Sequence, residues 1–165
     1  VVATRITSSI RARMSALVVA FSPSHIAYSS VLGTEMLFTT RILLVLILTL
    51  RHTESPSKSG ILLLGVALGM AWLVRGTMML FPVVLLILFV QSGRTVGKSA
   101  GHVALVVAVA FLVGIPWTMR NSIVFDTPVL VSTNGGVNFW IGNGPGASGA
   151  YRELPDADPL GNLHQ

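Results

Sequence analysis

Residues 58–94 read KSGILLLGVALGMAWLVRGTMMLFPVVLLILFVQSGR, and between the two ends of this stretch the only charge is Arg75. Neither half places polar side chains at helical spacing, as a helix lying on the core of a water-soluble domain would. A run that is apolar on every side needs an apolar solvent. The stretch therefore predicts two membrane segments joined by a tight turn at Arg75.

The same punctuation continues outward. No charge falls in 14–34, Arg41 alone interrupts 36–50, and 99–119 is uncharged between Lys98 and Arg120. The predicted segments lie near 14–24, 35–50, 60–74, 76–90 and 101–117. A perpendicular helix needs about 20 residues to cross about 30 Å of hydrocarbon, and bilayer thinning or snorkelling flanks absorb the shortfall of the shorter runs. The fold class is an all-α polytopic transmembrane helix bundle over 1–120, followed by a non-cytoplasmic loop region over 121–165. Composition agrees. The chain is 52% hydrophobic and 10% charged, with mean hydropathy +0.76, whereas soluble domains carry roughly a quarter charged residues.

Charge placement gives the orientation. Arg5, Arg11 and Arg13, then Arg51 and Lys58, then Arg94 and Lys98 fall on one side of the membrane. The other side carries Arg75, Arg120 and Arg152 against Glu35, Asp126, Glu153, Asp156 and Asp158. The positive-inside rule then puts the N-terminus in the cytoplasm and the C-terminal loop outside. It also accounts for the net charge of +5 without a nucleic-acid partner. The first residue is Val1 and the last ten end in a polar loop, so the chain is expected to be a piece of a longer protein. No cleavage site follows Arg13 to mark a signal peptide. The absence of cysteine excludes disulfides and a thiolate nucleophile.

Three polar features share the predicted outer level: PSHIAYSSVLGTE, WLVRGTMMLFP and PWTMRN. Ionisable groups at such depth are costly and point to function, although Arg120 beside Trp117 also suits plain interfacial anchoring. Glu35 also suits a helix N-terminus capped by Thr34. His25 reads as an interface residue, and Arg41 has no specific role. Beyond them VLVSTNGGVNFWIGNGPGASGAY reads as an outer loop with tight turns at Gly135 and Gly136. Asn121, Asn138, Trp140 and Asn143 supply amides and an aromatic face suited to a sugar. GNGPGA fits a dinucleotide fingerprint only formally, because no strand and helix flank it.

Taken in order, these motifs resemble the bacterial membrane glycosyltransferases of the dolichyl-phosphate-mannose–protein mannosyltransferase type (glycosyltransferase family 39), with the lipid A aminoarabinose transferases as relatives. The resemblance runs from about residue 20 to 151. It implies a GT-C fold and transfer of a sugar, usually with inversion, from a polyprenyl-phosphate donor to a protein, lipid or glycan acceptor outside a bacterial inner membrane. It also implies a catalytic aspartate in a first outer loop that this chain does not include, so the chain by itself is expected to be inactive. No cofactor is specified, though the resemblance allows a divalent metal; no metal ligands are assigned. Arg75 and Arg120 are the candidates to hold the lipid phosphate, because a guanidinium fork stays charged and donates several bonds to phosphate oxygens. Glu35 is expected to orient one of them or to bind acceptor. A transporter or permease is the rival reading. It would place polar groups on broken helices at mid-membrane, whereas here they gather at one face.

Overall fold

The computed structural model describes residues 8–29, 34–148 and 150. Helices α1 (Ser9–Ala20), α2 (Pro23–Ser29), α3 (Glu35–Glu54) and α4 (Lys58–Val74) come first. A 3-10 turn (Gly76–Leu80), α5 (Phe81–Gln91), α6 (Val96–Phe125) and α7 (Asn134–Asn143) follow. No strand occurs among the described residues. The chain divides into two compact units, Val1–Val131 and Ser132–Gln165.

Local chemistry sets the helix ends. Ser57 Oγ accepts from Gly60 N at 3.0 Å to cap α4, and Thr95 Oγ1 accepts from Lys98 N at 3.4 Å to cap α6. Both bonds satisfy a helix donor that lacks an internal partner. Arg75 is extended (φ −146°, ψ 118°) and stops α4. Gly93, at φ +87°, takes the left-handed conformation that lets the chain turn between α5 and α6. Asp126, at φ 50°, ends α6.

Helix α4 is the centre of the first unit, packed against α3 and α6. Val45 from α3, Leu64, Leu68 and Ala71 from α4, Leu85 and Phe89 from α5, and Val106 and Ala110 from α6 are fully buried together. Glycine permits the closest approach. A Cβ on Gly65 would lie 2.6 Å from Val109 Cβ, and one on Gly69 would lie 2.7 Å from Ala110 O. Small residues at such a seam let helices gain packing where no water drives association. The outward faces carry Leu62, Leu63, Val83, Ile87, Leu105, Phe111 and Leu112, all exposed. Such a surface is stable in lipid and aggregates in water.

Two helices, α3 and α6, are long and apolar enough to cross a membrane, while α4 and the 76–91 stretch are shorter apolar helices. The elements depart from those read off the sequence in four places. The segment read as 14–24 is two helices, Ser9–Ala20 and Pro23–Ser29, parted at residues 21–22. Residues 76–80 form a 3-10 turn before α5 begins at Phe81. Helix α6 runs from Val96 to Phe125, straight through Pro116, which membrane helices tolerate because neighbouring groups re-satisfy the freed carbonyl. From Lys98 to Arg120 it rises about 33 Å, close to the hydrocarbon thickness. Residues 134–143, read as loop, are helix α7, so Gly135 and Gly136 lie in its first turn and not at tight turns.

Candidate functional site

Arg75 and Glu35, 40 residues apart, meet at the end of α4 and the start of α3, with Nη2 donating to Oε1 at 3.2 Å. The guanidinium also lies over the Phe38 ring, 5.2 Å from its centroid. The meeting follows from backbone geometry. Arg75 leaves the helix in extended conformation, which swings its side chain toward α3. Both side chains are nearly half exposed (45% and 44%), so the pair adds little to stability, about 0–1 kcal/mol. Its effect is orientation. One nitrogen and one face are engaged, and the remaining donors stay available. Thr34 precedes α3 but makes no side-chain cap, so the cap suggested by the sequence is absent.

Arg120 stands on α6. Its guanidinium lies over Trp117, 5.2 Å from the ring centroid, and Nη1 donates to Asn121 Oδ1 at 3.2 Å. The same turn pins the following segment. Trp117 Nε1 donates to Val131 O at 3.1 Å, Thr118 Oγ1 to Leu130 O at 3.0 Å, and Asn121 Nδ2 to Val131 O at 3.4 Å. Asn121 is buried and occupied by these bonds. Trp117 and Thr118 escaped the sequence reading as a clasp. Their positions with Asn121 (i, i+1, i+4 on one helix) become a signal only once α6 is known to continue past Pro116.

Arg75 and Arg120 occupy the same end of the bundle. Gly65 faces Val106 and Val109, and Gly69 faces Ala110 and Val113. Extending that parallel register puts Arg75 level with Trp117 and Thr118, within about a turn of Arg120. Between the two arginine-bearing ends lies an apolar cavity of about 210 Å³, with Trp72, Leu73, Met79, Phe111, Thr118 and Leu130 in its wall. Trp72 is fixed there by its Nε1 donating to Met78 O at 2.8 Å and by an edge contact to Phe111 at 5.1 Å.

The remaining candidates belong to the second unit. Asn138, Trp140 and Asn143 lie on α7. Helical geometry puts Asn138 about 200° around from Trp140, while Trp140 and Asn143 are neighbours at i, i+3. Asn143 Nδ2 donates to Phe139 O at 3.0 Å. His25 is partly buried and lines a second, shallow pocket between α2 and α3. Among the described residues no group of three or more His, Asp or Glu side chains gathers to hold a metal ion. The divalent metal allowed by the resemblance therefore has no fitting ligand set there.

A sequence model of the family described as Dolichyl-phosphate-mannose-protein mannosyltransferase matches residues 1–119. No curated protein matches the chain, and no solved structure does.

Proposed function

This chain belongs to the dolichyl-phosphate-mannose-protein mannosyltransferase family, and from that premise we propose that it forms the donor side of a membrane glycosyltransferase. The donor is a sugar linked to a polyprenyl phosphate, and the acceptor is a hydroxyl-bearing protein, lipid or glycan. The end of the bundle with Arg75 and Arg120 faces the outside of a bacterial inner membrane, and the basic turns face the cytoplasm. Residues 1–120 form the membrane region and 121–165 begin the outer region, whose Asn138, Trp140 and Asn143 meet sugar or acceptor. Asn121 serves by holding Arg120.

The observation that carries this reading is the held but half-open guanidinium of Arg75, bonded to Glu35 and stacked on Phe38. As the acceptor hydroxyl gives its proton to a carboxylate base of the kind the family carries and its oxygen bonds to the anomeric carbon, the bond from that carbon to the phosphate oxygen breaks and its electron pair stays on the phosphate. A guanidinium already in place stabilises that growing charge without reorganising at the moment of reaction. The wall of the neighbouring cavity is apolar, and low-dielectric surroundings strengthen an interaction between charges.

In membranes bearing the complete gene product, Arg75→Ala is expected to lower sugar transfer by roughly 100- to 1000-fold, the usual cost of losing one preorganised donor. Arg75→Lys should recover only part, because it keeps the charge and loses the fork. The measurement is radiolabelled sugar transferred per unit of inserted protein. Near-normal turnover of Arg75→Ala would return Arg75 to interfacial anchoring.

A further inference from the structure

Helix α6 ends in a reversal. Asp126 takes φ 50°, and the residues after it run back beside the helix they have left, since 130 and 131 bond to 117, 118 and 121. Pro128 stiffens this short strap, and Val129 is buried. Thr118 Oγ1 donates to Leu130 O at 3.0 Å. Val131 O accepts twice, from Trp117 Nε1 at 3.1 Å and from Asn121 Nδ2 at 3.4 Å. Those same two residues hold Arg120, one beneath its guanidinium and one as acceptor for Nη1. One carbonyl therefore fixes both supports of one arginine. Moving Val131 O away would deprive the indole and the amide of a partner together, and Arg120 would lose the ring face and the acceptor that place it.

The same strap walls the apolar cavity of about 210 Å³, to which Leu130 and Val131 contribute together with Trp72 and Phe111. Leu130 is 57% exposed, so an occupant would cover apolar surface that the strap leaves open. A dry apolar cavity of about 150 Å³ takes benzene, and this one has room for the first branched carbons of an apolar chain. Leu73 and Met119, both in its wall, stand two residues before Arg75 and one before Arg120. Cations beside an apolar interior match an amphiphile with a phosphate on its first carbon. A free hydrocarbon or a free phosphate uses only half of that arrangement.

We infer that residues 127–131 are a strap that couples the filling of this cavity to the placing of Arg120. An apolar chain in the cavity packs on Leu130 and Val131 and holds the strap against α6. Val131 O then holds Trp117 and Asn121, and these hold the guanidinium for the phosphate at the head of the same molecule. Trp117 and Asn121 are thereby positioning residues, and binding energy from the tail is used at the reacting head. Such coupling is reciprocal, so a bound phosphate head also keeps the strap closed. The inference rests on the reading of the donor as a lipid phosphate, and the experiment separates the two.

The complete gene product is prepared in neutral detergent with Val129→Cys as its single cysteine. The rate at which a soluble maleimide labels that buried thiol, at fixed pH, measures opening of the strap. The probes are farnesol and farnesyl phosphate, with their binding followed by calorimetry. Farnesol should slow labelling by covering the cavity wall. Farnesyl phosphate should slow it about tenfold more, the worth of one hydrogen bond to a charged group. Arg120→Gln should abolish that extra tenfold and keep the share of the tail. Thr118→Val removes a strap bond that does not involve Arg120, so it should quicken labelling in every state and leave the extra tenfold in place. Equal slowing by farnesol and farnesyl phosphate would overturn the coupling, as would an extra tenfold that persists in Arg120→Gln. Farnesyl phosphate that binds and leaves the labelling rate unchanged would also overturn it, while the lipid-phosphate reading stands. Failure of farnesyl phosphate to bind would sink that reading, and the strap's role with it.

Discussion

The close seam between α4 and α6 makes a quantitative claim that one methyl group can test. A Cβ on Gly69 would meet Ala110 O at 2.7 Å, Val113 Cβ at 2.8 Å and Ala110 Cα at 3.0 Å. Two of those three atoms are backbone, so no side chain can rotate to make room. The helices must separate, by roughly half an ångström, to restore ordinary contact. A gap of that size forfeits about a quarter of the well depth of each atom pair across it, at about 0.1–0.2 kcal/mol per pair. Spread over the Leu64, Leu68 and Trp72 side of α4, this comes to about 1–2 kcal/mol, within the usual range of about 1–3 for overpacking. Alanine also improves helix propensity by up to about 1 kcal/mol over glycine, so a matched control is needed. Gly101 lies in α6 with nothing within 4 Å of an added Cβ. Gly101→Ala carries the propensity gain without the clash. Reversible unfolding in mixed micelles titrated with a denaturing detergent should therefore place Gly69→Ala about 1–3 kcal/mol below Gly101→Ala. If the two variants agree within about 0.5 kcal/mol, the α4–α6 approach is looser than described and the register that aligns Arg75 with Arg120 loses its support.

Other tests address the two ends. Glu35→Gln should change unfolding free energy by less than about 1 kcal/mol, because the pair is half exposed, while sugar transfer by the complete gene product falls clearly; a large stability loss with normal transfer would reverse the roles. Trp117→Phe keeps a ring beneath Arg120 but loses the 3.1 Å bond to Val131 O, so amide exchange across 127–131 should quicken for a loss of about 0.5–1.5 kcal/mol. A single cysteine at Ser148 should react with an impermeant reagent in whole cells and one at Ser55 should not; the opposite pattern would invert the proposed orientation.

The sequence reading reached what single charges can mark. Lys58, Arg75 and Arg94 stand where α4 begins, where it breaks and where α5 has ended, because an ionised side chain within an apolar run must be brought to an edge of the membrane. An even alternation of spans brings Glu35 and Arg75 to one end of the bundle, but it does not name them as partners; their hydrogen bond comes from the structure alone. Two stretches misled. The sequence reading bounds the last segment at 117, just past Pro116, yet α6 continues to Phe125 and its clasp on residues 130–131 uses Thr118 and Asn121 from that continuation. Gly135 and Gly136 read as turns because glycine allows them, whereas allowing a turn does not require one. The buried meeting of His52, Arg94 and His102 left no mark on local pattern, since its members are brought together only when α3, α5 and α6 pack.

Helix α4 links these observations. Ser57 fixes where it starts and Arg75 where it stops, so its 17 residues rise about 26 Å and set the separation of the two polar ends. The glycines at 65 and 69 lock it to α6, which holds Thr95 beside its first turn and Arg120 beside its last. A rod that rigid has a chemical consequence. The guanidinium of Arg75 follows no loop of its own and is carried on the end of the most buried helix in the unit, braced by Glu35 and Phe38. Electrostatic stabilisation of a leaving phosphate requires a charge that does not relax away from the bond being broken. Loosening the seam at Gly69 should therefore reduce transfer through Arg75 even though Gly69 lies about two turns from it, and Arg75→Ala should abolish most of that sensitivity, because the two substitutions act through the same group. If the seam variant and Arg75→Ala instead multiplied their losses independently, the arginine's position would not be set by the α4–α6 contact.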